Sequence, residues 1–264
     1  MTMSLIQMAV DYGAPIFLVT SPVTSYADQI LSIHRTRTSA GFSLDIPLIM
    51  LLASILKVYF WFGDNYSISL LIQAIVMIGV QMVLLKVALD NRPSPGAKDG
   101  IEHAPFAQLD AADTRPYEFW QWKSARPYWM CLAYFIGALS FIQILLPPLS
   151  QSQLYINFLG YTGLAVEATL PIPQILKNYR SRSCAGFRLS VVVAWILGDV
   201  MKLSYFFCSS EVIPWAFRLC GMFQCACDFY LGVQFWMYTR SDGNAGTPRG
   251  PPASWNEEKD IRMT

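Results

Sequence analysis

Several polar side chains fall inside long apolar stretches of this sequence, at spacings that place them on shared helix faces. Glu167, Pro171 and Gln174 are separated by four and three residues, so in a helix they lie on one face. Asp199 and Lys202, three residues apart, lie on one face in the same way. An ionisable group in an apolar span is costly and by default marks a substrate or ion path. The chemistry to expect is passage or recognition of a polar group.

Glu167 is the strongest candidate, because no Lys or Arg lies within one helical turn of it. Such a carboxyl must either pair with a cation on another helix or carry a proton. Asp199 and Lys202 can instead neutralise each other, so structure explains that pair as well as function does. Gln29 and Gln174 are interpreted as hinge and path residues. The predicted path or gating residues are Glu167, Pro171, Pro173, Gln174, Asp199, Lys202, Asp228, Gln29 and Lys57.

The sequence contains no arrangement typical of an enzyme. His34 and His103 lack neighbours that would complete a catalytic or metal-binding set. The formal net charge is +1, which indicates no basic surface for nucleic acid. We therefore expect a protein that is not an enzyme, with no cofactor, no metal and no nucleic-acid partner.

Membrane-spanning helices are the elements that must position these residues. Hydrophobic residues make up 54% of the chain and charged residues only 14%, whereas a soluble domain carries about 25% charged residues. A helix needs roughly 20 residues to cross about 30 Å of hydrocarbon. Seven segments have that length or nearly so: 10–33, 44–62, 67–89, 128–148, 155–178, 188–209 and 213–238.

The distribution of basic residues predicts the orientation of these spans. The loops near 63–67, 148–155 and 209–213 carry none of the 19 basic residues, whereas most of these lie in the segments on the other side. The positive-inside rule then places the amino terminus in the lumen and the carboxyl terminus in the cytosol. Trp120 and Trp122, near the end of the long insert, are expected at the membrane interface.

The sequence contains an internal repeat. Residues 29–63 align without gaps to residues 174–208, at an offset of 145 positions. Each copy belongs to a set of three spans, and the span between the sets inverts the chain, so the two copies are parallel. Transporters built from such repeats bind near the midplane between the halves. Identical pairs include Gln29 and Gln174, Arg37 and Arg182, Gly41 and Gly186, and Lys57 and Lys202.

Two prolines interrupt the fifth predicted span. Pro171 and Pro173 leave carbonyl groups unpaired in a helix. Lipid tolerates this only where the helix faces protein or a water-filled cavity. We therefore expect a kinked helix that borders an internal path.

The predicted fold is an all-α integral membrane protein. Its seven transmembrane helices form two parallel three-helix bundles joined by an inverting fourth helix. The predicted units are a first repeat at 10–90, a flexible cytosolic loop at 91–127, a linking transmembrane helix at 128–148, a second repeat at 155–238 and a disordered cytosolic tail at 239–264.

The stretch PIPQILKNYRSRSCAGF, from Pro171 to Phe187, resembles the PQ-loop family. The family signature is a Pro-Gln pair near the end of the first helix of each three-helix bundle, followed by a short basic loop. The match lies at Pro173-Gln174, whereas the first copy has Asp28-Gln29 instead. SWEET proteins and the KDEL receptor share the architecture that this resemblance implies.

Three further stretches, GLAVEATLPIPQ, WILGDVMKLSYFF and KVYFWFG, resemble one PQ-loop subgroup of late Golgi and endosomal membranes. That subgroup is linked to phospholipid scrambling and opposes lipid flippases. The resemblance implies an energy-independent scramblase that regulates lipid asymmetry and endosome–Golgi trafficking, with membrane phospholipids as partners. Protons and a second copy of the chain are further candidate partners. The implied locations are late Golgi, endosome, lysosome or vacuole.

Other PQ-loop proteins provide two alternatives. The first is a proton-coupled transporter of a small solute, such as an amino acid, across an endolysosomal membrane. The second is a cargo-sorting receptor that transports nothing. All three functions need the same buried polar face, so the fold does not choose between them.

Overall fold

The computed structural model describes residues 9–39, 44–92, 120, 122, 124–182 and 189–244, and these are predominantly helical. A single π-helical turn, Ala9–Gly13, leads into the first helix. The α-helices of the described residues are α1 Ala14–Thr36, α2 Asp45–Asp64, α3 Ile68–Asp90, α4 Arg126–Leu145, α5 Pro147–Ser150, α6 Gln153–Ala168, α7 Pro171–Ser181, α8 Leu189–Cys208 and α9 Trp215–Asn244.

Several helices have the length and composition of membrane spans. Among the described residues, α2, α3 and α4 are each long and apolar enough to cross a membrane. Large apolar side chains are exposed along them, including Ile75 on α3 and Ile144 on α4. In water such exposure would be costly, whereas lipid solvates these side chains well.

The two halves of the chain pack in the same order. In the first half, α3 packs against both α1 and α2. In the second half, α9 packs against α8 and against both α6 and α7. The last long helix of each half therefore lies between its partners. Between the halves, the most extensive contact among the described helices joins α2 to α6.

Glycines allow α2 and α6 to approach each other closely. A Cβ atom on Gly163 would lie 3.0 Å from the carbonyl oxygen of Ala53, and one on Gly160 would lie 2.8 Å from the ring of Phe60. Small residues at such crossings let helix backbones come together in a membrane. The two halves are thus held in a fixed register at this crossing.

The helices that precede the two basic loops end in the same backbone conformation. Arg37 follows α1 with φ of 53°, and Arg182 follows α7 with φ of 50°. Both residues adopt the left-handed αL backbone conformation, which strains a residue with a side chain and is usually taken by glycine. Arg37 and Arg182 are equivalent in the repeat alignment, so the two copies share this backbone conformation as well as their sequence.

The first helix continues through its internal proline. Pro22 is buried inside α1 and has no N–H to donate to the carbonyl of Leu18. The hydroxyl of Ser21 donates to that carbonyl oxygen at 2.9 Å. A serine hydroxyl is one of the groups that satisfy a freed carbonyl in a membrane helix. Pro22 therefore interrupts the hydrogen-bond ladder of α1 but not the helix.

The fifth predicted span, 155–178, is divided into two helices. The first, α6, ends at Ala168, and α7 begins at Pro171. Both Pro171 and Pro173 lie in the first turn of α7, where a backbone N–H would have no partner within the helix. The expected kink is thus a complete interruption of the α-helix.

Local hydrogen bonds satisfy the carbonyl groups at this break. The two prolines leave the carbonyls of Glu167 and Thr169 without their usual donors four residues on. The amide of Leu170 donates to Glu167 at 3.2 Å, and the amide of Ile172 donates to Thr169 at 3.0 Å. The chain therefore crosses the break without stranding these backbone groups in an apolar environment.

Trp120 is buried against the start of α2. It is only 1% exposed, and its ring N–H donates to the carbonyl of Leu44 at 2.8 Å. The ring of Tyr128 lies 4.7 Å away. Because the indole N–H bonds to the residue before α2, Trp120 packs inside the protein, and its expected position at the membrane interface stays a prediction. Trp122 is half-buried beside it.

Two other expectations fall partly outside the described residues. The last helix, α9, extends to Asn244, beyond the expected end at 238 and into the tail expected to be disordered. The residues that follow Tyr238 are compatible with a helix until Gly243. Most of the 91–127 insert, the segments 40–43 and 183–188, and residues 245–264 lie outside the described residues.

Candidate substrate path between the two halves

A small polar cavity lies where α2, α3, α6, α8 and α9 meet. Its volume is about 20 Å³, which is room for about one water molecule. Its charged lining residues are Lys57, Glu167 and Lys202, and the amides of Gln73 and Gln224 also face it. The fold thus brings three of the predicted path residues to one point between the halves.

Lys57 and Glu167 form a buried ion pair across the halves. The Nζ atom of Lys57 on α2 lies 2.6 Å from Oε2 of Glu167 on α6, and the side chains are 5% and 15% exposed. The sequence left open whether Glu167 pairs with a cation on another helix or carries a proton. In this structure it is paired with a lysine 110 positions earlier in the chain.

Lys202 has different partners, and all of them belong to its own half. Its Nζ atom donates to Oε1 of Gln224 at 3.0 Å and lies 3.8 Å from Oδ1 of Asp199. The side chain of Lys202 is 19% exposed. The two repeat-equivalent lysines therefore reach the same cavity but are neutralised differently.

Two carboxyl groups lie side by side behind Lys202. Asp199 on α8 and Asp228 on α9 are each 4% exposed and are close enough to interact electrostatically. One oxygen of each carboxyl, Oδ2 of Asp199 and Oδ1 of Asp228, is buried without a hydrogen-bond partner among the described residues. In the first half, Ser54 takes the place of Asp199 and is fully buried. The acid pair is thus a feature of the second half.

Four of the other predicted residues do not line the cavity, and three of them belong to the first turn of α7 after the helix break. Pro171 is buried, and Pro173 is half-buried. The Nε2 atom of Gln174 donates to Oδ1 of Asn178 at 2.8 Å. Gln29 is half-buried on α1. The cavity lining includes none of these four path candidates, all of which the structure describes.

Further contacts join the two halves near the 65–67 loop. The hydroxyls of Ser67 and Tyr205 are 2.6 Å apart, and Tyr205 donates to Oε2 of Glu211 at 3.0 Å. The rings of Tyr66 and Phe217 pack at 4.8 Å. The hydroxyl of Tyr66 also donates to the carbonyl of Lys57 at 2.9 Å, which links these contacts to the residue that forms the ion pair.

Sequence reasoning missed several of these residues. Gln73 could have been recognised from the sequence, because an amide inside the apolar α3 needs a partner or a polar cavity. Tyr66 and Tyr205 could not, since tyrosines near the ends of spans are expected at the membrane interface. Their hydroxyls could be assigned only once their partners from other helices were known.

The fold and this site define an all-helical membrane protein with a polar site between two halves. The family model described as "PQ loop repeat" matches residues 155–215, which run from the first turn of α6 to the start of α9. Over 276 aligned positions, the chain is 30% identical to Scramblase ANY1 of Saccharomyces cerevisiae, covering 83% of this chain and 68% of that protein. The chain belongs to the PQ-loop repeat family.

Proposed function

We propose that this protein is an energy-independent phospholipid scramblase that regulates lipid asymmetry in late Golgi or endosomal membranes, and thereby endosome–Golgi trafficking. The observation that carries the proposal is the buried polar cavity between the halves, with the Lys57–Glu167 pair at its centre. Similarity to a yeast protein named as a scramblase supports the choice of lipid as the substrate.

The proposed architecture has seven spans. In it, α1–α3 form one three-helix bundle, α6 to α9 form a parallel second bundle with α6 and α7 as one broken span, and α4 inverts the chain between them. The shared packing order of the halves and the left-handed residues Arg37 and Arg182 support this arrangement. The proposed orientation has the amino terminus in the lumen and the carboxyl terminus in the cytosol.

The proposed mechanism replaces water with protein groups as partners of the headgroup. A headgroup crossing hydrocarbon alone loses its hydrogen bonds and ionic solvation, which is the main barrier to lipid exchange. The cations, carboxyls and amides between the halves offer both signs of charge and both kinds of hydrogen bond. The acyl chains stay in the bilayer, so lipids move down their gradient without an energy source.

Purified protein in liposomes tests the proposal directly. The vesicles contain a fluorescent phospholipid in both leaflets, and an impermeant reductant is added outside. We expect fluorescence to fall below the half that remains when only the outer leaflet is reached, with no such loss in protein-free vesicles. If the vesicles contain folded protein but lose only the half of the fluorescence that comes from the outer leaflet, the scramblase assignment would be overturned.

A matched pair of variants localises the path. Ala168→Phe places a ring in the cavity, whereas Ala138→Phe adds the same ring to the exposed face of α4. We expect the first variant to slow scrambling and the second to leave it unchanged. Both are first checked for a monodisperse elution profile in detergent. Equal rates in both variants would place the lipid path elsewhere.

The acid pair favours one second candidate, a proton-coupled transporter of a small solute. Asp199 and Asp228 can hold a proton between them inside the membrane, as a proton relay requires. An uptake screen in vesicles with an imposed proton gradient tests this candidate. Uptake that is lost in an Asp228→Asn variant, in vesicles without scrambling, would establish the transporter instead.

A further inference from the structure

Two lysines from equivalent positions of the repeat face the same small cavity. Lys57 comes from α2 and Lys202 from α8, and they are identical partners at the repeat offset. Among the described residues that line the cavity, these are two cations against a single carboxylate, Glu167. The partner of Lys202 within hydrogen-bonding distance is the neutral amide of Gln224. Asp199 lies 3.8 Å from Lys202 but does not line the cavity, so the side chains that face the cavity itself carry one excess positive charge and favour an anion.

Glu167 indicates where such an anion is stable. Lys57 holds its carboxylate at 2.6 Å, and Lys202 is close enough to stabilise its charge electrostatically. Glu167 also lies on the last turn of α6, just before the break at Thr169 and Leu170. Movement at that break would withdraw the carboxylate from the two lysines, which would leave Lys57 without its anion and Lys202 with only the more distant carboxyl of Asp199 at 3.8 Å.

We propose that Lys57 and Lys202 together form a binding site for the phosphodiester group of a phospholipid, which Glu167 occupies in the closed state seen here. This site rests on the proposed scramblase function. The cavity of about 20 Å³ is too small for a phosphate group. The phosphate therefore enters only when Glu167 leaves and the halves separate around it.

The phosphate is the part of the lipid that such a site recognises best. An ammonium group is a compact charge that binds phosphate oxygens without demanding one fixed geometry. The phosphodiester is common to phospholipids whose headgroups differ in charge and size. A site that reads this group alone moves many phospholipids at similar rates but discriminates against lipids that lack phosphate.

The liposome assay with three lipid probes tests this site. Fluorescent phosphatidylcholine and phosphatidylglycerol both carry phosphate, but only the first carries a quaternary ammonium, and fluorescent glucosylceramide carries neither group. For the wild-type protein we expect similar rates for the two phospholipids. Glucosylceramide should be about tenfold slower, the factor expected for loss of one hydrogen-bonded charge contact.

Charge-removing variants assign this preference to the lysines. Lys202→Gln removes one cation, and the double variant Lys57→Gln with Glu167→Gln removes the other without stranding its partner. We expect each to slow both phospholipids about tenfold while leaving glucosylceramide within about twofold. Lys86→Gln on the exposed face of α3 is the matched control and should change nothing. A purely structural role would slow all three probes alike, and that result would overturn the proposal.

The outcomes separate this site from the function on which it rests. A wild-type protein that moves no probe contradicts the scramblase itself, whereas one that moves all three at equal rates contradicts only the phosphate site. Thermal unfolding in detergent then identifies the source of the phosphate. We expect stabilisation by short-chain phosphatidylcholine that Lys202→Gln abolishes. Stabilisation by inorganic phosphate alone would assign the site to a free anion and overturn the lipid assignment.

Discussion

The proline-containing helices of the two halves differ in whether the helix continues past the proline. In α1, Pro22 lies inside a continuous helix, and the hydroxyl of Ser21 takes the place of the missing amide. In the second half, Pro171 and Pro173 coincide with a complete break between α6 and α7. The first half thus keeps a continuous helix at its internal proline. The second half instead has a helix break at Thr169 and Leu170, next to the polar site, which we call the joint.

The two repeat-equivalent lysines also differ between the halves, in the partners that they bind. Lys57 binds a carboxylate of the other half, whereas Lys202 binds an amide and an acid of its own half. At the repeat offset, Glu167 of the second half corresponds to Pro22 of the first. A single position thus provides an internal proline in one copy and the bridging anion in the other. We infer that divergence of the repeat turned a symmetric scaffold into an asymmetric site.

The largest expected effect comes from unpairing the bridge. Lys57→Met leaves the carboxylate of Glu167 without its direct cation partner, which costs about 3–5 kcal/mol. Lys202→Met loses a mostly buried contact with the amide of Gln224 and a longer one, 3.8 Å, with Asp199. The cost should be smaller, about 1–2 kcal/mol, because the close contact is with a neutral group. Unfolding in detergent, followed by tryptophan fluorescence, measures both. The double variant Lys57→Met with Glu167→Met should recover most of the loss, and equal destabilisation by the two single variants would contradict the asymmetry.

Next in size is the helix crossing that joins the halves. Gly163→Ala forces a methyl group against the backbone of α2, where 3.0 Å is available, at a cost of about 1–3 kcal/mol. Gly137→Ala on α4 meets no neighbour, so it should instead stabilise its helix by about 0.5–1 kcal/mol. The same unfolding measurement compares them. A stable Gly163→Ala protein would show that the crossing is less rigid than the contacts indicate.

The joint in the second half is tested by its prolines. Pro173→Ala supplies an amide that can bond to the carbonyl of Thr169 and extend α7 back across the break, so lipid movement should slow several-fold. Pro22→Ala adds an amide to a helix that is already continuous and should change the rate little. Scrambling rates in liposomes compare the two variants. An unchanged rate in Pro173→Ala would argue against a role for the joint.

The smallest effect concerns the hydroxyl that supports Pro22. Ser21→Ala strands the carbonyl of Leu18 and should cost about 1 kcal/mol. In a Pro22→Ala background the cost should vanish, because the new amide at position 22 donates to that carbonyl. A double-mutant cycle on the unfolding free energy measures this coupling. Additive effects would mean that Ser21 contributes in some other way.

Much of the architecture could be predicted from local sequence. The apolar stretches predicted helices apolar enough to span a membrane, and α2, α3 and α4 meet that description among the residues described. Residues that resemble the PQ-loop family predicted membership of that family, and the comparisons confirm it. These features depend on hydrophobicity and on neighbouring residues, which a sequence shows directly. The end of α9 was misjudged because polar residues can continue a helix beyond the apolar stretch.

The partners of the site residues could not be predicted in the same way. Helical spacing suggested that Asp199 and Lys202 share a face, and they lie 3.8 Å apart. Nothing in the spacing indicated that Asp228 would lie against Asp199, or that Ser67 would bond to Tyr205. Such pairs depend on which helix faces meet. That in turn depends on side-chain packing between segments far apart in the chain.

The sequence by itself determined that the chain repeats, that its helices are apolar, and that a few polar groups must find partners inside the protein. It even restricted Glu167 to two states, one of them an ion pair. Only the tertiary structure decided that Lys57, and not Lys202, is its direct partner, because the close crossing of α2 and α6 at Gly160 and Gly163 brings those two side chains together. An ion pair in an apolar medium tolerates little separation, so packing between the halves set its identity.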